Sequence, residues 1–465
     1  MSDAITKAVP GEHHWAGKVR KIARPWANSV FEEMVHDADP DRMHVMYIGF
    51  SDQRGGAAIA SGRLISKLEA RGDIAPLEIV TLQKGHAPWT VSIDRAHRFF
   101  GWRQMRKAIA ARNVIASDPY GWLPFETAYI RRAVEAWSPE IIHIHNIHGG
   151  RGTMPLSLLE ELARAAPIVW TLHDMWATTG HCAYSLECEG WKTGCSKCPH
   201  LGYYPSLQRD RAGKIVEDKR RIFEAAQPVL VPPSRWLGDI AQTARATAGL
   251  EVRVLANGVD LTVFNPAVRD KTRAGLGIAP DRQVLMFAAE SLAGDTRKGA
   301  RELRGAVEHL QAARSNAAID IILMGGSGEE LLEGIAGLEI HRPGFISDPQ
   351  EAAGLYAAAD LFICPSLQDN LPNTLVEASA CGTASVAFDI GGCPEIIEHG
   401  VTGAIVPEGD ARAMGEAIAK LLDDPALLAG LGSAARERAE ALYSDDRMAS
   451  DYLALYRELA GRRST

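Results

Sequence analysis

Short apolar runs alternate along the chain with stretches of helical spacing, and each run ends in glycine, proline or polar residues. Near-continuous apolar strands separated by helices indicate parallel sheets covered on both faces. The first series of predicted strands comprises residues 44–50, 79–82, 141–145, 168–174, 229–234 and 252–257. The second series comprises residues 284–289, 319–325, 361–366 and 384–389. Two such series predict an α/β protein of two doubly wound, Rossmann-like domains.

The two predicted domains divide near residues 260–275, where proline, charged residues and turn residues interrupt the pattern. We expect an N-terminal extension over residues 1–42, a first domain over 43–265 and a second domain over 266–440. The last helical stretch, 441–465, is expected to pack back on the first domain. Ligands of such sheets bind beyond the carboxyl ends of the strands, so we expect the site in the cleft between the domains.

Composition narrows the class of protein. Hydrophobic residues make up 46% of the 465 residues and charged residues 23%, as in globular proteins that are soluble in water. A net charge of −8 disfavours a dedicated nucleic-acid binder, because such proteins present a basic field. The N-terminus lacks the apolar core of a secretory signal, and the apolar runs are too short to span a bilayer. We therefore expect a cytoplasmic protein with no nucleic-acid partner.

Charged residues with a distinctive spacing occur in the second half. Asp369 follows a predicted strand, and Glu377 lies eight positions later on the next helix. Carboxylates accept hydrogen bonds from paired hydroxyls, and two helical turns span roughly 12 Å, about the distance from a hexose to a nucleotide ribose. Arg297 and Lys298, at a helix start, offer two cations for a diphosphate. A capping aspartate, an exposed glutamate and a solvated basic turn are the alternative interpretation.

Glycine-rich turns follow several predicted strands. Gly391 and Gly392 open a helix, as do Gly55 and Gly56 in the first half, and a further turn covers residues 325–328. Such turns present unpaired backbone N–H groups to an anion, although most glycine turns only reverse the chain.

At this point the chain resembles the group 1 glycosyltransferases, also called glycosyltransferase family 4, which have the GT-B fold. The resemblance covers nearly everything after residue 43. The motifs that carry it are Asn257-Gly258-Val259-Asp260 with Phe264, Lys298-Gly299, Pro365-Ser366 through Glu377-Ala378, Gly391-Gly392 and Pro394-Glu395. It implies two Rossmann-like domains that face each other across a cleft and bind a nucleoside-diphosphate sugar of the UDP or GDP type.

The resemblance also implies roles for individual residues. Asp369, with Asn370 beside it, would face the donor sugar, Glu377 would hold the ribose, and Lys298 would bind the diphosphate. The family's first acid is normally glutamate, and its arginine normally precedes the lysine at the end of a strand. Here the acid is aspartate and that arginine is missing, so Arg297 is the expected substitute. The glycine turns would also contact the donor through Gly55, Gly56, Gly391 and Gly392.

A histidine pair lies at the end of the predicted strand 141–145. His143 and His145 are two positions apart, so both rings lie on one face of the strand. A metal pair is one interpretation, and buried or surface histidines are a commoner one. The resemblance implies a third, in which His145 points into the cleft and contacts the donor sugar or orients the acceptor hydroxyl.

Four cysteines cluster within residues 181–200, hereafter the cysteine-rich insert. Cys182, Cys188, Cys195 and Cys198 have the spacing C-x5-C-x6-C-x2-C, and the last pair is typical of a zinc ribbon. We expect a closed structural zinc site; buried thiols in a compact loop are the alternative. The insert resembles a feature of the exopolysaccharide branch of the family, which includes colanic-acid-type enzymes.

These features predict a hexosyltransferase that acts, with retention, on a glycan or polyprenyl-linked acceptor in exopolysaccharide or cell-surface polysaccharide biosynthesis. His145, Lys298 and Asp369 are the expected catalytic residues, and no catalytic metal is expected because the cations hold the diphosphate. The basic and aromatic stretch 95–112 predicts peripheral contact with the inner face of the plasma membrane, or else a surface helix packed on the sheet. A sugar-nucleotide epimerase of the same fold and a non-catalytic nucleotide-sugar-binding scaffold are the alternative functions.

Overall fold

Two parallel six-stranded sheets form the framework of the chain. The structure is a computed structural model that describes residues 39–94, 103–115, 123–148, 152–291, 294–314, 317–326, 328 and 330–464. Strands β1 to β6 span Met43–Ser51, Ile74–Leu82, Thr90–Ser92, Ile141–Ile144, Ile168–Thr171 and Val229–Val231. Strands β7 to β12 span Gln283–Ser291, Ile319–Gly326, Leu338–Gly344, Leu361–Cys364, Ala384–Phe388 and Gly403–Val406. The orders, β3-β2-β1-β4-β5-β6 and β12-β11-β10-β7-β8-β9, are doubly wound and confirm the predicted fold class.

Helices follow most strands of each sheet, whereas β2 is followed directly by β3 and β8 directly by β9. Helices α1 to α7 span Gly56–Ala70, Arg103–Ile115, Pro124–Trp137, Leu159–Ala165, Gly190–Thr193, Ala212–Ala226 and Arg235–Thr243. Helices α8 to α15 span Arg269–Leu276, Ala300–Ala313, Pro349–Ala358, Asn373–Ala380, Cys393–Ile396, Ala411–Leu422, Pro425–Leu442 and Asp445–Ser464. Short 3-10 turns occupy Leu156–Leu158, Pro266–Val268 and Thr296–Lys298.

Side chains of the central strand β1 enter two different cores. Val45 and Tyr47 pack with one group of buried residues, whereas Met46 and Ile48 pack with another. Successive side chains of a strand point to opposite faces of the sheet, so both faces of the first sheet are covered. This explains why its strands are continuously apolar.

The C-terminal helix α15 packs on the first sheet after the chain has completed the second. Met448, Tyr452 and Tyr456 belong to the same buried group as Val45. The hydroxyl of Tyr456 lies 3.3 Å from that of Tyr47 on β1. A helix from the end of the chain therefore completes the core of the first domain.

Two crossings between the domains lie side by side. The backbone N–H of Val259 donates to the carbonyl of Tyr443 at 2.8 Å, and the N–H of Asp445 donates to the carbonyl of Val259 at 3.1 Å. Gly258 permits this approach, because a Cβ there would lie 2.6 Å from Cα of Asp445. The segment where the chain leaves the first domain and the segment where it returns are therefore hydrogen-bonded to each other.

One predicted strand does not form, and three strands of the structure were not predicted. Residues 252–257 were expected to form a strand but make only a single bridge, between Leu230 and Val252, before the chain crosses to the second domain. Strands β3, β9 and β12 were not predicted, and all three lie at an edge of their sheet. Edge strands are short or half-exposed and need no continuous apolar run. In addition, β9 contains Pro343, which an edge position tolerates.

Part of the predicted N-terminal extension, residues 1–38, and part of the basic stretch, residues 95–102, lie outside the described residues. None of the helices in the part of the chain that the structure describes has the length and apolar character needed to span a bilayer.

Candidate active site

A cation and a carboxylate meet in the cleft, at the carboxyl ends of β7 and β10. Lys298 Nζ lies 2.5 Å from Oδ2 of Asp369, and Arg297 Nη1 lies 3.4 Å from the same oxygen. Gly299 has a φ of 71°, and a Cβ at this position would lie 1.8 Å from the carbonyl oxygen of Pro365. Only glycine allows the basic turn to pack this closely on the loop that carries Asp369.

The carboxyl group of Asp369 is ionised although it is buried. Burial alone would raise its pKa, but Lys298 and Arg297 outweigh burial and lower that pKa below its usual value. The backbone N–H of Asn370 also donates to Asp369 Oδ1 at 3.0 Å. Two cations therefore share one carboxylate at this point of the cleft.

Arg297 is held by both domains. Its guanidinium donates to the carbonyl of Gln368 at 2.8 Å and to Asp295 Oδ2 at 2.9 Å. The ring of Tyr184 lies 4.0 Å from Arg297 Cζ, a favourable cation–π distance. The backbone N–H of Leu186 donates to Gln368 Oε1 at 2.7 Å. Tyr184 and Leu186 belong to the cysteine-rich insert, so the insert contacts the second domain at the candidate site.

Glu377 is paired across the cleft with an arginine that the sequence analysis missed. Arg63, on α1 of the first domain, places Nη2 2.6 Å from Glu377 Oε1. The two side chains are only 17% and 11% exposed. Arg63 also lies over the ring of Phe264, with Cζ 5.2 Å from its centroid. The sequence offered one signal for Arg63, namely that it is a charged residue beside the apolar face of α1.

Asn370 connects the loop that carries Asp369, hereafter the acidic loop, to the first domain. Its Nδ2 donates to the carbonyl of Leu172 at 2.9 Å, and its Oδ1 accepts a hydrogen bond from Ser234 Oγ at 2.5 Å. The nearby Asn373 donates to the carbonyl of Gly56 at 3.1 Å. The Gly55-Gly56 turn and the acidic loop therefore face each other directly.

Arg54, in the turn after β1, forms an ion pair with Glu290 at the end of β7. Glu290 occupies the position at which the family resemblance implies an arginine. Its Oε1 lies 3.3 Å from Arg54 Nε, and an ideal Cβ at Gly55 would lie 3.8 Å from its Oε2. The first domain thus supplies a cation to the place where the family's arginine is absent.

Gly391 and Gly392 bring two loops into close backbone contact. A Cβ at Gly391 would lie 1.7 Å from the carbonyl oxygen of Asp369, and one at Gly392 would lie 2.1 Å from that of Asn370. These distances leave no room for a side chain. The glycine turn after β11 therefore supports the acidic loop from behind.

The two histidines at the end of β4, His143 within the strand and His145 just after it, have different contacts. His143 uses both ring nitrogens, with Nδ1 2.5 Å from the Tyr456 hydroxyl and Nε2 2.7 Å from the Thr171 hydroxyl. His145 Nδ1 lies 2.9 Å from Nε2 of His173, a residue that follows β5. His145 Nε2 is buried and has no hydrogen-bond partner among the described residues. His143 is a structural residue, and His145 retains a free ring nitrogen.

Burial keeps the rings of His145 and His173 uncharged. It lowers the pKa of His145, and the neighbouring His143 and His173 lower it further. Burial also lowers the pKa of His173 to about 4, although Asp174 opposes that shift. At neutral pH both rings are therefore neutral, and one nitrogen of each can donate while the other accepts.

The cysteine-rich insert gathers its thiols around a cavity of ≈ 30 Å³, lined by Cys182, Cys188, Cys195 and Cys198. The N–H of Gly180 donates to Cys195 Sγ at 3.3 Å. All four cysteines are free thiols. Within the described ranges, no group of three or more histidine, cysteine or acidic side chains is arranged to hold a metal ion. Zinc binding by the insert stays a prediction.

The expected site residues thus lie in one cleft rather than on separate surfaces. Lys298, Arg297 and Asp369 form one charge cluster, Glu377 faces the first domain, and the glycine turns support the loops. Sequence reasoning missed Arg63 and Tyr184, because each reaches its partner from the other domain.

Two family models match the chain. The model described as Glycosyltransferase Family 4 matches residues 55–263, and the model described as Glycosyl transferases group 1 matches residues 282–424. WcaC of Escherichia coli (strain K12), which carries the name colanic acid biosynthesis glycosyl transferase, is 26% identical over 334 residues, or 69% of this chain and 77% of WcaC. The chain spans 51 to 70% of the length of seven further curated relatives, at 28 to 33% identity.

Solved glycosyltransferases share the fold. Sucrose-phosphate synthase from Thermosynechococcus elongatus has a TM-score of 0.64 and 21% identity, covering 90% of this chain and 100% of its own. HepE of Anabaena, solved in complex with UDP and glucose, has a TM-score of 0.60 and 19% identity, covering 90% of this chain and 100% of its own.

Proposed function

Since the chain belongs to the group 1 glycosyltransferases of family 4, we propose that it transfers a hexose-type sugar from a nucleoside-diphosphate sugar to a glycan or lipid-linked acceptor. The observation that carries the proposal is the cluster of Lys298, Arg297 and Asp369 in the cleft, with Glu377 on the adjoining helix α11. Two cations beside two carboxylates can hold the two ends of a sugar linked to a nucleoside by a diphosphate.

In this proposal the nucleoside end anchors the donor. Glu377 gives up its ion pair with Arg63 and accepts hydrogen bonds from the ribose hydroxyls. This role explains why the cleft contains a carboxylate that is held by a single cation. Binding energy from the nucleotide then holds the reacting carbon in place.

The diphosphate end carries the leaving group. Lys298 and Arg297 stabilise the negative charge that develops as the bond between the sugar and the diphosphate breaks. Asp369 holds the two cations in position before the donor arrives and accepts hydrogen bonds from the sugar hydroxyls. No divalent metal is needed in this scheme, because fixed cations already face the diphosphate.

His145 serves the sugar or the acceptor hydroxyl. Its unpartnered Nε2 is buried and neutral, so it can form a hydrogen bond without introducing a charge. The reaction proposed is a same-face substitution with retention, in which the leaving phosphate accepts the proton of the acceptor hydroxyl.

The finer assignments belong to the same proposal. A UDP-type donor is supported by the solved complex of HepE with UDP and glucose. A role in exopolysaccharide or cell-surface polysaccharide biosynthesis is supported by the similarity to WcaC. We assign acceptor binding to residues 43–265 and donor binding to residues 266–440. The reaction is placed in the cytoplasm, at the inner face of the plasma membrane, where a polyprenyl-linked acceptor would be found.

A donor screen tests this function. Ligands that bind only the folded state raise its melting temperature, so UDP- and GDP-sugars should be compared by thermal shift. We expect one sugar nucleotide to stabilise the protein and to release its nucleoside diphosphate slowly by hydrolysis. An epimerase would instead convert the donor sugar, and a non-catalytic scaffold would bind it without turnover. Failure of every sugar nucleotide to bind would contradict the proposal.

A further inference from the structure

A cavity between the domains borders the candidate donor site and shares Gln368 and Gly391 with it. Its volume is ≈ 440 Å³, within the range of small-molecule sites. The first domain contributes Leu186, Glu187 and Trp236 to its wall. The second domain contributes Leu367, Gln368, Asp389, Ile390, Gly391 and Glu408, so a ligand here contacts the donor domain as well as the domain assigned to the acceptor. We propose that this cavity binds the saccharide end of the acceptor and that this saccharide is uncharged, an inference that rests on the proposed transferase function.

The cavity occupies the next place along the second sheet after the candidate donor site. The neighbouring strands run in the order β7, β10, β11 and β12. Lys298 follows β7 and Asp369 follows β10, whereas Asp389 follows β11 and Glu408 follows β12. Ligands of such sheets lie along the carboxyl ends of the strands. A donor with its diphosphate at Lys298 and its sugar at Asp369 therefore has this cavity beside its sugar.

The polar groups of the wall suit sugar hydroxyls. The backbone N–H of Asp389 donates to the carbonyl of Val406, but the side-chain carboxylates of Asp389 and Glu408 have no partner among the described residues and can accept hydrogen bonds. Gln368 Oε1 accepts the N–H of Leu186, which leaves the amide NH2 of Gln368 to donate. The indole of Trp236 adds an N–H donor and a flat apolar face, on which the C–H face of a sugar ring can pack.

The charge of the wall selects against anionic acceptors. Glu187, Asp389 and Glu408 are acidic, and the described residues of the wall include no arginine or lysine. Glu187 Oε1 lies 3.4 Å from Nε2 of His200. The adjacent Arg235 is 84% exposed and lies 4.0 Å from Glu395, outside the wall. Bringing a phosphate or a uronic acid carboxylate beside these carboxylates would cost Coulomb energy, whereas neutral hydroxyls incur no such cost.

Trp236 is fixed in the wall by the second domain. Glu395 accepts the backbone N–H of Trp236 at 3.0 Å and that of Arg235 at 2.9 Å, at the beginning of α7. The second domain thus holds the backbone from which the Trp236 side chain extends to the cavity wall.

Saccharide binding in the presence of UDP tests the inference. The probes are maltose, cellobiose and lactose as neutral sugars, with glucuronic acid and glucose 1-phosphate as anionic ones, measured by saturation-transfer NMR and titration. We expect a neutral disaccharide to bind, Trp236→Ala to weaken its binding by about ten-fold, and Trp236→Phe to weaken it less because the ring is retained. Equal binding of the anionic probes to the wild-type protein, indifference to Trp236→Ala, or no neutral probe binding would each overturn the inference.

Charge variants give a second readout that does not depend on the fold of the Trp236 variant. Asp389→Asn with Glu408→Gln should raise the affinity for glucuronic acid relative to maltose by about ten-fold. An unchanged ratio would contradict the acidic selection.

Donor binding separates the two proposals. Thermal stabilisation by the sugar nucleotide should be retained in Trp236→Ala, because the proposed donor contacts are Lys298, Asp369 and Glu377. If donor binding is normal while saccharide binding ignores Trp236, only the cavity inference fails. If the wild-type protein binds no sugar nucleotide, the proposed transferase function fails first.

Discussion

Arg63 of the first domain lies 2.6 Å from Glu377 of the second, so an interdomain ion pair holds the carboxylate that we assign to the ribose. In the proposed complex the ribose hydroxyls replace this contact. Both side chains are largely shielded from water, which makes the pair stronger than an exposed one.

Glu377→Ala should weaken nucleotide binding by about ten-fold or more, because a charge-assisted hydrogen bond to the ribose is lost. Titration calorimetry with UDP or the active donor measures the effect. Glu416→Ala is the matched control, since Glu416 lies on the surface of the second domain and, among the described residues, forms an ion pair only with Arg412 in the same helix. Unchanged donor affinity in Glu377→Ala would remove this residue from the ribose role.

Tyr184→Ala should weaken diphosphate binding several-fold, because the aromatic ring that packs on Arg297 is lost. Tyr184→Phe keeps the ring and should bind nearly as well as the wild type. Comparing UDP with uridine in the same titration identifies the diphosphate as the affected part. Equal loss for UDP and uridine would show that the ring acts elsewhere.

The buried histidines predict that stability falls in mild acid. The pKa of His173 is about 4 in the folded protein and 6.5 as the ordinary value. Between these values the unfolded chain binds more protons than the folded one, so stability is present above about pH 6.5 and is lost as the pH falls through this window. Melting temperatures at about pH 7.5 and 5.0 should differ less in His173→Asn than in the wild type. Equal pH dependence in both would contradict this account.

Metal analysis tests the predicted zinc. Purified protein should contain about one zinc per chain if the four thiols of the insert bind it. Cys198→Ser should reduce that content, and Cys381→Ser, in the core of the second domain, should leave it unchanged. Folded wild-type protein without metal would show that the cysteines are plain thiols.

The sequence pattern located the central strands and the edge strand β6, but not the other three edge strands. The run at β1 is continuously apolar because its side chains enter cores on both faces. The edge strands β3, β9 and β12 have a partner on one side only and lack that signature. The segment 252–257 carries an apolar pattern, but it is the crossing between the domains and has no strand beside it beyond one bridge.

Local motifs placed the acidic loop and the basic turn, whereas contacts across the cleft could not be read from them. Asp369 and Lys298 each follow a strand of the same sheet, so neighbouring strands bring them together. Arg63 is 314 positions away from Glu377, and no spacing rule connects them. The same holds for Tyr184, which reaches Arg297 from an insert in the other domain.

The central claim is that fixed cations at the end of β7 stabilise a departing diphosphate, and turnover by Lys298→Ala tests it most directly. With a sugar nucleotide that stabilises the wild-type protein, the rate of nucleoside diphosphate release should fall by about ten-fold or more in Lys298→Ala, because a transition-state contact is removed. Lys420→Ala, on the exposed side of α13, should release it at the wild-type rate. A folded Lys298→Ala protein with the wild-type rate would contradict the account.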